Sequence, residues 1–176
     1  ESKAALAGGV TSFMEMPNTN PQTTNQELLN QKLKIAEATS FVNYSFFGGV
    51  TNNNYDDLMR FDRNKIPGIK IFMGSSTGDM LVDNNQVLDK IFKNSPFLIA
   101  THCEDEGTIK SNITKYYKIY GENIPIELHP VIRNHEACYK SSSFAVELAK
   151  KYNTRLHVLH ITTKKELNLF QEGNIN

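Results

Sequence analysis

The stretch FLIATHCEDEGTIKSNITKYYKIY, residues 97–120, joins a short apolar run to a longer helical pattern. The run from Phe97 to His102 is rich in residues that favour strands, and the pattern from Asp105 to Tyr120 indicates a helix. A strand followed by a helix is the repeating unit of parallel sheets, because parallel strands need a crossover connection that is usually helical. This stretch therefore predicts one βα unit.

The same alternation of strand and helix extends in both directions along the chain, and the first four strands begin at intervals of roughly 30 residues, the size of a βα unit. The fold class is therefore predicted to be α/β. The other strands are predicted at residues 10–16, 41–50, 68–73 and 155–161. The other helices are predicted at residues 25–39, 55–61, 85–93 and 135–152, with the end of a further helix at 1–7.

Two architectures fit this alternation, an open doubly wound sheet and part of an eight-stranded βα barrel. No GxGxxG or GxxxxGK[ST] motif follows any predicted strand, and nucleotide-binding sheets usually carry such phosphate-binding turns. This absence favours the barrel. No linker divides the chain, so residues 1–176 are interpreted as one domain or a piece of one. The long segment from Tyr120 to Asn134 contains Pro125 and Pro130, and it is predicted to be a functional loop.

The composition argues against several classes of partner. Nineteen basic and nineteen acidic residues cancel and are scattered along the chain, which gives no electrostatic footprint for nucleic acid or an anionic membrane. No apolar run approaches the roughly 20 residues of a membrane span, and the N-terminus lacks the pattern of a signal peptide. Two cysteines are too few for a disulfide framework. These observations predict a cytoplasmic protein with a small-molecule or protein partner.

Three side chains suited to metal binding fall on the last three predicted strands. Lys70 lies inside its strand, His102 ends the next strand, and His160 lies near the end of the last one. The carboxyl ends of parallel barrel strands open on one face, so these groups are expected to converge there. Imidazoles bind zinc and similar ions, and a buried lysine can lose its proton and become carboxylated. The alternatives are hydrogen-bonded structural histidines and a lysine that extends to solvent on the helix-covered side of its strand.

Two polar side chains in predicted loops are candidates for substrate contact. Asn18 lies in the turn Met-Pro-Asn-Thr-Asn-Pro, residues 16–21, after the first strand, where its amide can both donate and accept hydrogen bonds. The alternative is that Asn18 is only a turn residue. Arg133 can bind an anion or pair with a neighbouring carboxylate, and Asn134 is a candidate N-cap for the helix that follows.

Taken together, these motifs resemble those of the dihydroorotase family, part of the cyclic-amidase group of the amidohydrolase superfamily. The resemblance covers nearly the whole chain in the family's order, so it is more specific than any single motif. The motifs are GGVTSFMEMPNTNP at residues 8–21, GIKIF at 68–72, THCED at 101–105, IRNHEAC at 132–138 and LHVLHIT at 156–162.

The resemblance implies strands 2 to 6 of an eight-stranded βα (TIM) barrel that hydrolyses or closes a cyclic amide in pyrimidine biosynthesis. It implies two zinc ions bridged by carboxylated Lys70, with His102 and His160 as further metal ligands and Asn18 as a ligand of the substrate carboxylate. The expected partners are then a small-molecule substrate and a second copy of the enzyme in a homodimer. Another cyclic amidase, such as a dihydropyrimidinase, hydantoinase or allantoinase, and a non-catalytic scaffold homologue remain alternatives.

Part of the family's active site has no counterpart in these residues. The family's His-x-His pair with its arginine would precede Glu1, and its acid/base aspartate would follow Asn176. We therefore expect no catalytic acid or base within residues 1–176. A five-stranded arc cannot close an eight-stranded barrel, so this stretch by itself is expected to be inactive.

Overall fold

Parallel strands alternate with helices throughout the computed structural model, which describes residues 1–76 and 78–172. Each predicted strand range contains an observed strand, so the α/β prediction is confirmed. The strands are β1 Ser12–Glu15, β2 Asn43–Phe46, β3 Gly48–Gly49, β4 Ile69–Phe72, β5 Ile99–His102 and β6 Leu156–Val158. The helices are α1 Ser2–Ala7, α2 Gln26–Thr39, α3 Tyr55–Leu58, α4 Asn85–Asn94, α5 Glu106–Tyr120, α6 His129–Ile132 and α7 His135–Tyr152.

The strands pair in the order in which they occur along the chain, and every pair is parallel. β1 pairs with β2, and a second sheet has the order β3–β4–β5–β6. Phe47 joins the two sheets: its amide bonds to the Glu15 carbonyl at 3.0 Å, whereas the next amide, Gly48, bonds to the Gly68 carbonyl at 3.1 Å. A doubly wound sheet reverses its strand order at a switch point, whereas a barrel does not. The observed order therefore favours the barrel.

The main apolar core lies between one face of the sheet and the helices. On β4, Ile69 and Ile71 are fully buried in this core, together with Ile99 of β5. Helix α4 contributes Leu88, Ile91 and Phe92, spaced so that they share one face of the helix. Because side chains alternate along a strand, Lys70 and Phe72 point to the opposite, inner face of β4. The packing of the helices thus directs Lys70 away from them.

The long segment between α5 and α7 contains two short turns of helix, a 3-10 turn at Ile126–Leu128 followed by α6. No continuous helix spans the segment, as expected from its two prolines, Pro125 and Pro130. Ile132, the last residue of α6, packs with Ile109 and Ala137 in a second small apolar cluster. The Asn112 side chain also donates a hydrogen bond to the Ile132 carbonyl at 2.9 Å. The segment is therefore anchored to both neighbouring helices.

Asn134 caps helix α7, as the sequence predicted. Its side-chain oxygen accepts a hydrogen bond from the Ala137 amide at 3.1 Å, and its backbone is extended. We expect Asn134→Ala to lower the free energy of unfolding by about 1 kcal/mol, because an amide of the first turn loses its acceptor. Asn134→Asp keeps the acceptor and is expected to retain most of the stability in urea unfolding. Equal losses in the two variants would contradict the capping role.

Within residues 1–76 and 78–172, no helix has the length and apolar character needed to cross a membrane.

Candidate metal-binding site

The two predicted histidine ligands meet at the carboxyl end of the sheet. His102 is the last residue of β5, and His160 follows β6 by two residues. The Leu159 amide bonds to the Thr101 carbonyl at 3.0 Å, which holds the chain after β6 against β5. His102 Nδ1 and His160 Nε2 lie 3.1 Å apart. Neighbouring parallel strands thus bring side chains 58 residues apart in sequence into contact.

His160 lies outside the regular strand, although the sequence predicted a strand through residue 161. The observed strand β6 ends at Val158, and His160 has a φ of 39°, in the left-handed region that residues other than glycine rarely adopt. Its side chain is exposed. The imidazole of His160 thus reaches His102 from a local turn and not from a continued strand.

Lys70 lies on the next strand of the sheet and is almost completely buried, with 1% of its surface exposed. Its Nζ donates a hydrogen bond to the Ile71 carbonyl at 3.1 Å and lies 3.8 Å from the centroid of the Phe72 ring. Among the described residues, no carboxylate lies within ion-pair distance of this amine. Burial lowers the pKa of Lys70 to about 7, and the nearby Cys103 opposes the shift. Near neutral pH, part of the Lys70 amine is therefore in its neutral, unprotonated form.

Register places the lysine and the first histidine on the same face of the sheet. Lys70 pairs with Ala100, and Phe72 pairs with His102, so all four side chains project to the inner face. The Phe72 and His102 rings lie 6.4 Å apart between centroids. The alternative that Lys70 extends to solvent among the helices is wrong, because the amine is buried on the inner face of the sheet.

A carboxylate holds the second nitrogen of His102. His102 Nε2 lies 2.9 Å from Glu104 Oε2, and Arg133 Nε donates to Glu104 Oε1 at 3.0 Å while Arg133 Nη2 contacts Oε2. Burial opposes ionisation of Glu104, but the hydrogen bonds from Arg133 and His102 prevail and lower the pKa of this carboxyl. Burial also lowers the pKa of His102, which Glu104 partly offsets. The arrangement favours a neutral His102 with its proton on Nε2 and a lone pair on Nδ1.

Asn18 lies at the same end of the strands, in the turn that follows β1, and it is exposed. The turn is fixed by a hydrogen bond from the Thr23 amide to the Pro17 carbonyl at 3.0 Å. It packs against β3, since a Cβ added at Gly49 would lie 3.0 Å from the Cβ of Pro17. Gly49 is the register partner of Lys70. Asn18 therefore lies in a loop beside the strand that pairs with β4, and its role in substrate binding stays a prediction.

The donor set has the chemistry of a metal site. Two nitrogen ligands of a tetrahedral zinc ion, with bonds of about 2.0–2.1 Å, lie about 3.3 Å apart, close to the 3.1 Å between His102 Nδ1 and His160 Nε2. A metal-binding histidine usually donates its other ring proton to a carboxylate, as His102 does to Glu104. The described residues contain no cluster of three or more His, Cys, Asp or Glu side chains suited to a metal. Lys70 is the further ligand that the sequence predicts, and this role stays a prediction.

Glu104 is the residue of this site to which no role was predicted from the sequence. It lies two residues after His102, a spacing that places both side chains on one side of an extended chain. That spacing was the available signal. Its partner Arg133 lies 29 residues further along the chain, and the sequence left open whether this arginine binds an anion or pairs with a carboxylate. The structure pairs it with Glu104.

Comparisons with known proteins agree on one group of enzymes. No protein-family model matches the chain. The dihydroorotase of Methanosphaera stadtmanae is 31% identical over 177 residues, covering 98% of this chain and 39% of the relative. The dihydroorotase of Methanosarcina acetivorans is 28% identical, covering 97% of this chain and 36% of the relative. The allantoinase of Deinococcus radiodurans is 27% identical, covering 98% of this chain and 39% of the relative. The chain thus spans less than two-fifths of the length of these relatives.

Solved structures confirm the fold. L-hydantoinase from Arthrobacter aurescens superposes with a TM-score of 0.88 at 24% identity, covering 96% of this chain and 38% of that structure. Dihydropyrimidinase from Brevibacillus agri superposes with a TM-score of 0.79 at 20% identity, covering 96% and 37%. These neighbours are TIM barrels, so the parallel strands described above form part of an eight-stranded βα barrel.

Proposed function

Because this chain belongs to the cyclic-amidase group of the amidohydrolase superfamily, we propose that the protein containing it is a dihydroorotase. It would interconvert dihydroorotate and N-carbamoyl-L-aspartate in pyrimidine biosynthesis, in the cytoplasm. Residues 1–176 form the central part of its barrel domain. The observation that carries the proposal is the 3.1 Å distance between His102 Nδ1 and His160 Nε2. The strand that ends at His102 pairs with β4, the strand that contains the buried Lys70.

The proposed metal ligands are Lys70, His102 and His160. The two imidazoles would bind one zinc ion, and Lys70, once carboxylated, would bridge it to a second. A zinc ion bound there would lower the pKa of a water molecule and polarise the ring amide carbonyl of the substrate. The buried Lys70 amine supports this role, because it has no carboxylate partner among the described residues that would compete for it.

The chain's own residues would hold the metal and orient the substrate. Glu104 keeps the His102 ring in one orientation, and the inner face of β4 and β5 keeps Lys70 away from solvent. Asn18 would bind the substrate carboxylate through its amide group. In hydrolysis the ring C–N bond breaks, a C–O bond to water forms, and the nitrogen gains a proton. We assign no general acid or base to this chain.

Dihydroorotate is favoured over other cyclic amides by the turn after β1. The dihydropyrimidinases and hydantoinases that the motifs also resemble usually lack the Pro-Asn-Thr sequence found at residues 17–19. A second candidate is another cyclic amidase, which the similarity to an allantoinase and to hydantoinase structures supports.

A substrate panel separates these candidates. We expect the full-length, zinc-loaded protein to cyclise N-carbamoyl-L-aspartate with a kcat/KM far above its values for dihydrouracil, hydantoin and allantoin. A preference for one of the other three substrates would replace dihydroorotase with the corresponding cyclic amidase. Metal binding without turnover of any of the four would support the scaffold alternative.

Replacement of Asn18 tests the proposed substrate contact. We expect Asn18→Ala to lower kcat/KM for dihydroorotate about 10–100-fold, because a hydrogen bond to a charged group contributes about 1.5–3 kcal/mol. Metal content should not change. Asn53→Ala, at an exposed asparagine in the loop after β3, is the matched control. Steady-state kinetics identical to wild type in Asn18→Ala would exclude Asn18 from substrate binding.

A further inference from the structure

Glu104 connects His102 to a distant arginine in the segment between α5 and α7. The Glu104 carboxylate has 8% of its residue surface exposed and takes hydrogen bonds on both oxygens. One oxygen receives Arg133 Nε at 3.0 Å, and the other is shared by His102 Nε2 and Arg133 Nη2. The result is a continuous chain of hydrogen bonds from Arg133 through Glu104 to the imidazole.

We propose that Arg133 is a positioning residue that fixes the metal-binding geometry of His102 through Glu104. It would act on the metal site and not on the substrate carboxylate. This inference rests on the proposed metal site, since it assigns His102 Nδ1 to the metal. On this proposal, the function of the segment at residues 121–134 is to hold Arg133 next to Glu104.

The contact between Arg133 and Glu104 has the geometry that resists rotation. Two nitrogens of one planar guanidinium bind two oxygens of one carboxylate, and such bidentate pairs are both stronger and more directional than single ion pairs. A buried carboxylate with no cation beside it would be strongly disfavoured. Arg133 therefore holds the Glu104 carboxylate in one orientation, and Glu104 in turn orients the His102 ring.

The backbone around Arg133 is held on both sides. Its own amide bonds to the His129 carbonyl at 2.9 Å at the end of α6. The preceding Ile132 is buried and its carbonyl accepts from Asn112, while the following Asn134 caps α7. Three consecutive residues are thus fixed by different contacts. An arginine that only neutralised surface charge would not need such an anchored backbone.

The chain after Glu104 is tied to the same region. The Asp105 amide bonds to the Ala137 carbonyl at 2.9 Å, which joins the start of α5 to the first turn of α7. The two segments that carry the ion pair are therefore hydrogen-bonded to each other next to it. A partner residue anchored in this way is suited to hold a metal ligand in place.

The test compares Arg133→Met, Arg133→Lys and Glu104→Gln in the full-length protein. Zinc affinity is measured by competition with a chromophoric chelator, and kcat and KM are measured for dihydroorotate. We expect zinc to bind about 10–100-fold more weakly in Arg133→Met and Glu104→Gln, as is typical when the partner of a metal-binding histidine is removed. Arg133→Lys keeps the charge without the bidentate geometry and should fall between wild type and Arg133→Met. Arg60→Met, at an exposed arginine after α3, is the matched control and should bind zinc like wild type.

The double variant with Arg133→Met and Glu104→Gln should bind zinc at most about threefold more weakly than either single variant, because both substitutions act on the same histidine. Additive losses would overturn the proposed route through Glu104. Unchanged zinc affinity with a raised KM in Arg133→Met would also overturn it, and would make Arg133 a substrate ligand. Arg133→Lys and Glu104→Gln keep the test decisive if Arg133→Met does not fold.

The outcome for wild type separates this inference from the function. A protein that binds zinc without turning over dihydroorotate overturns the dihydroorotase proposal alone, and weaker zinc binding in the variants still supports the role of Arg133. A wild-type protein that binds no zinc overturns both.

Discussion

The Lys70→Met variant is expected to bind fewer than the two zinc ions per protein proposed for wild type. Its turnover of dihydroorotate is expected to be at least about 100-fold lower. A metal that polarises a carbonyl contributes several kcal/mol, and each 1.4 kcal/mol is a factor of ten in rate. Methionine has nearly the shape of lysine but no amine to carboxylate, so the variant removes the proposed bridging ligand while filling its space. Zinc content by mass spectrometry and the rate of dihydroorotate hydrolysis are measured on the same sample.

The stability of this variant distinguishes a lost ligand from a damaged fold. Lys70 is 1% exposed and has no carboxylate partner among the described residues, so its amine is costly to bury. We therefore expect Lys70→Met to unfold at the same temperature as the zinc-free wild type, or higher. Lys65→Met, at an exposed lysine, is the control and should keep both zinc and activity. Full zinc content and full activity in Lys70→Met would exclude the lysine from the site.

His102→Ala and His160→Ala are expected to have the second largest effect. Each removes a direct ligand, so zinc should bind more than about 100-fold more weakly, beyond the usual range for loss of a supporting partner. His157→Ala is the matched control, because His157 is an exposed histidine on β6, close to His160 in sequence, and no role is assigned to it. Zinc binding by the three variants is compared by chelator competition. Equal effects of His160→Ala and His157→Ala would contradict the assignment of His160.

Most of the fold could be predicted from local sequence patterns. Runs such as residues 68–73 and 97–102 are short, apolar and followed by helical patterns, and each contains a strand in the structure. The packing of α4 on β4 follows from one apolar helix face meeting one strand face. The change of partner at Phe47 was not predictable, because it depends on where β1 and β4 lie and not on the sequence of the strand itself.

The site could be predicted only in part. Lys70, His102 and His160 were found because their residue types can bind metals and because the ends of parallel strands meet at one face of a barrel. The structure brings the two histidines into contact, and their role as ligands stays a prediction. The turn at His160 and the pairing of Glu104 with Arg133 were beyond the sequence. Both depend on contacts between segments far apart in the chain, which periodicity does not report.

The most direct test of the metal site is X-ray diffraction from crystals of the full-length protein grown with zinc and bicarbonate, recorded on both sides of the zinc absorption edge. We predict an anomalous peak for zinc at bonding distance from His102 Nδ1 and His160 Nε2. We also predict extra density next to Lys70 Nζ that fits a carboxylate group on the amine. An anomalous peak elsewhere, with His102 and His160 still hydrogen-bonded to each other and Lys70 unmodified, would contradict it.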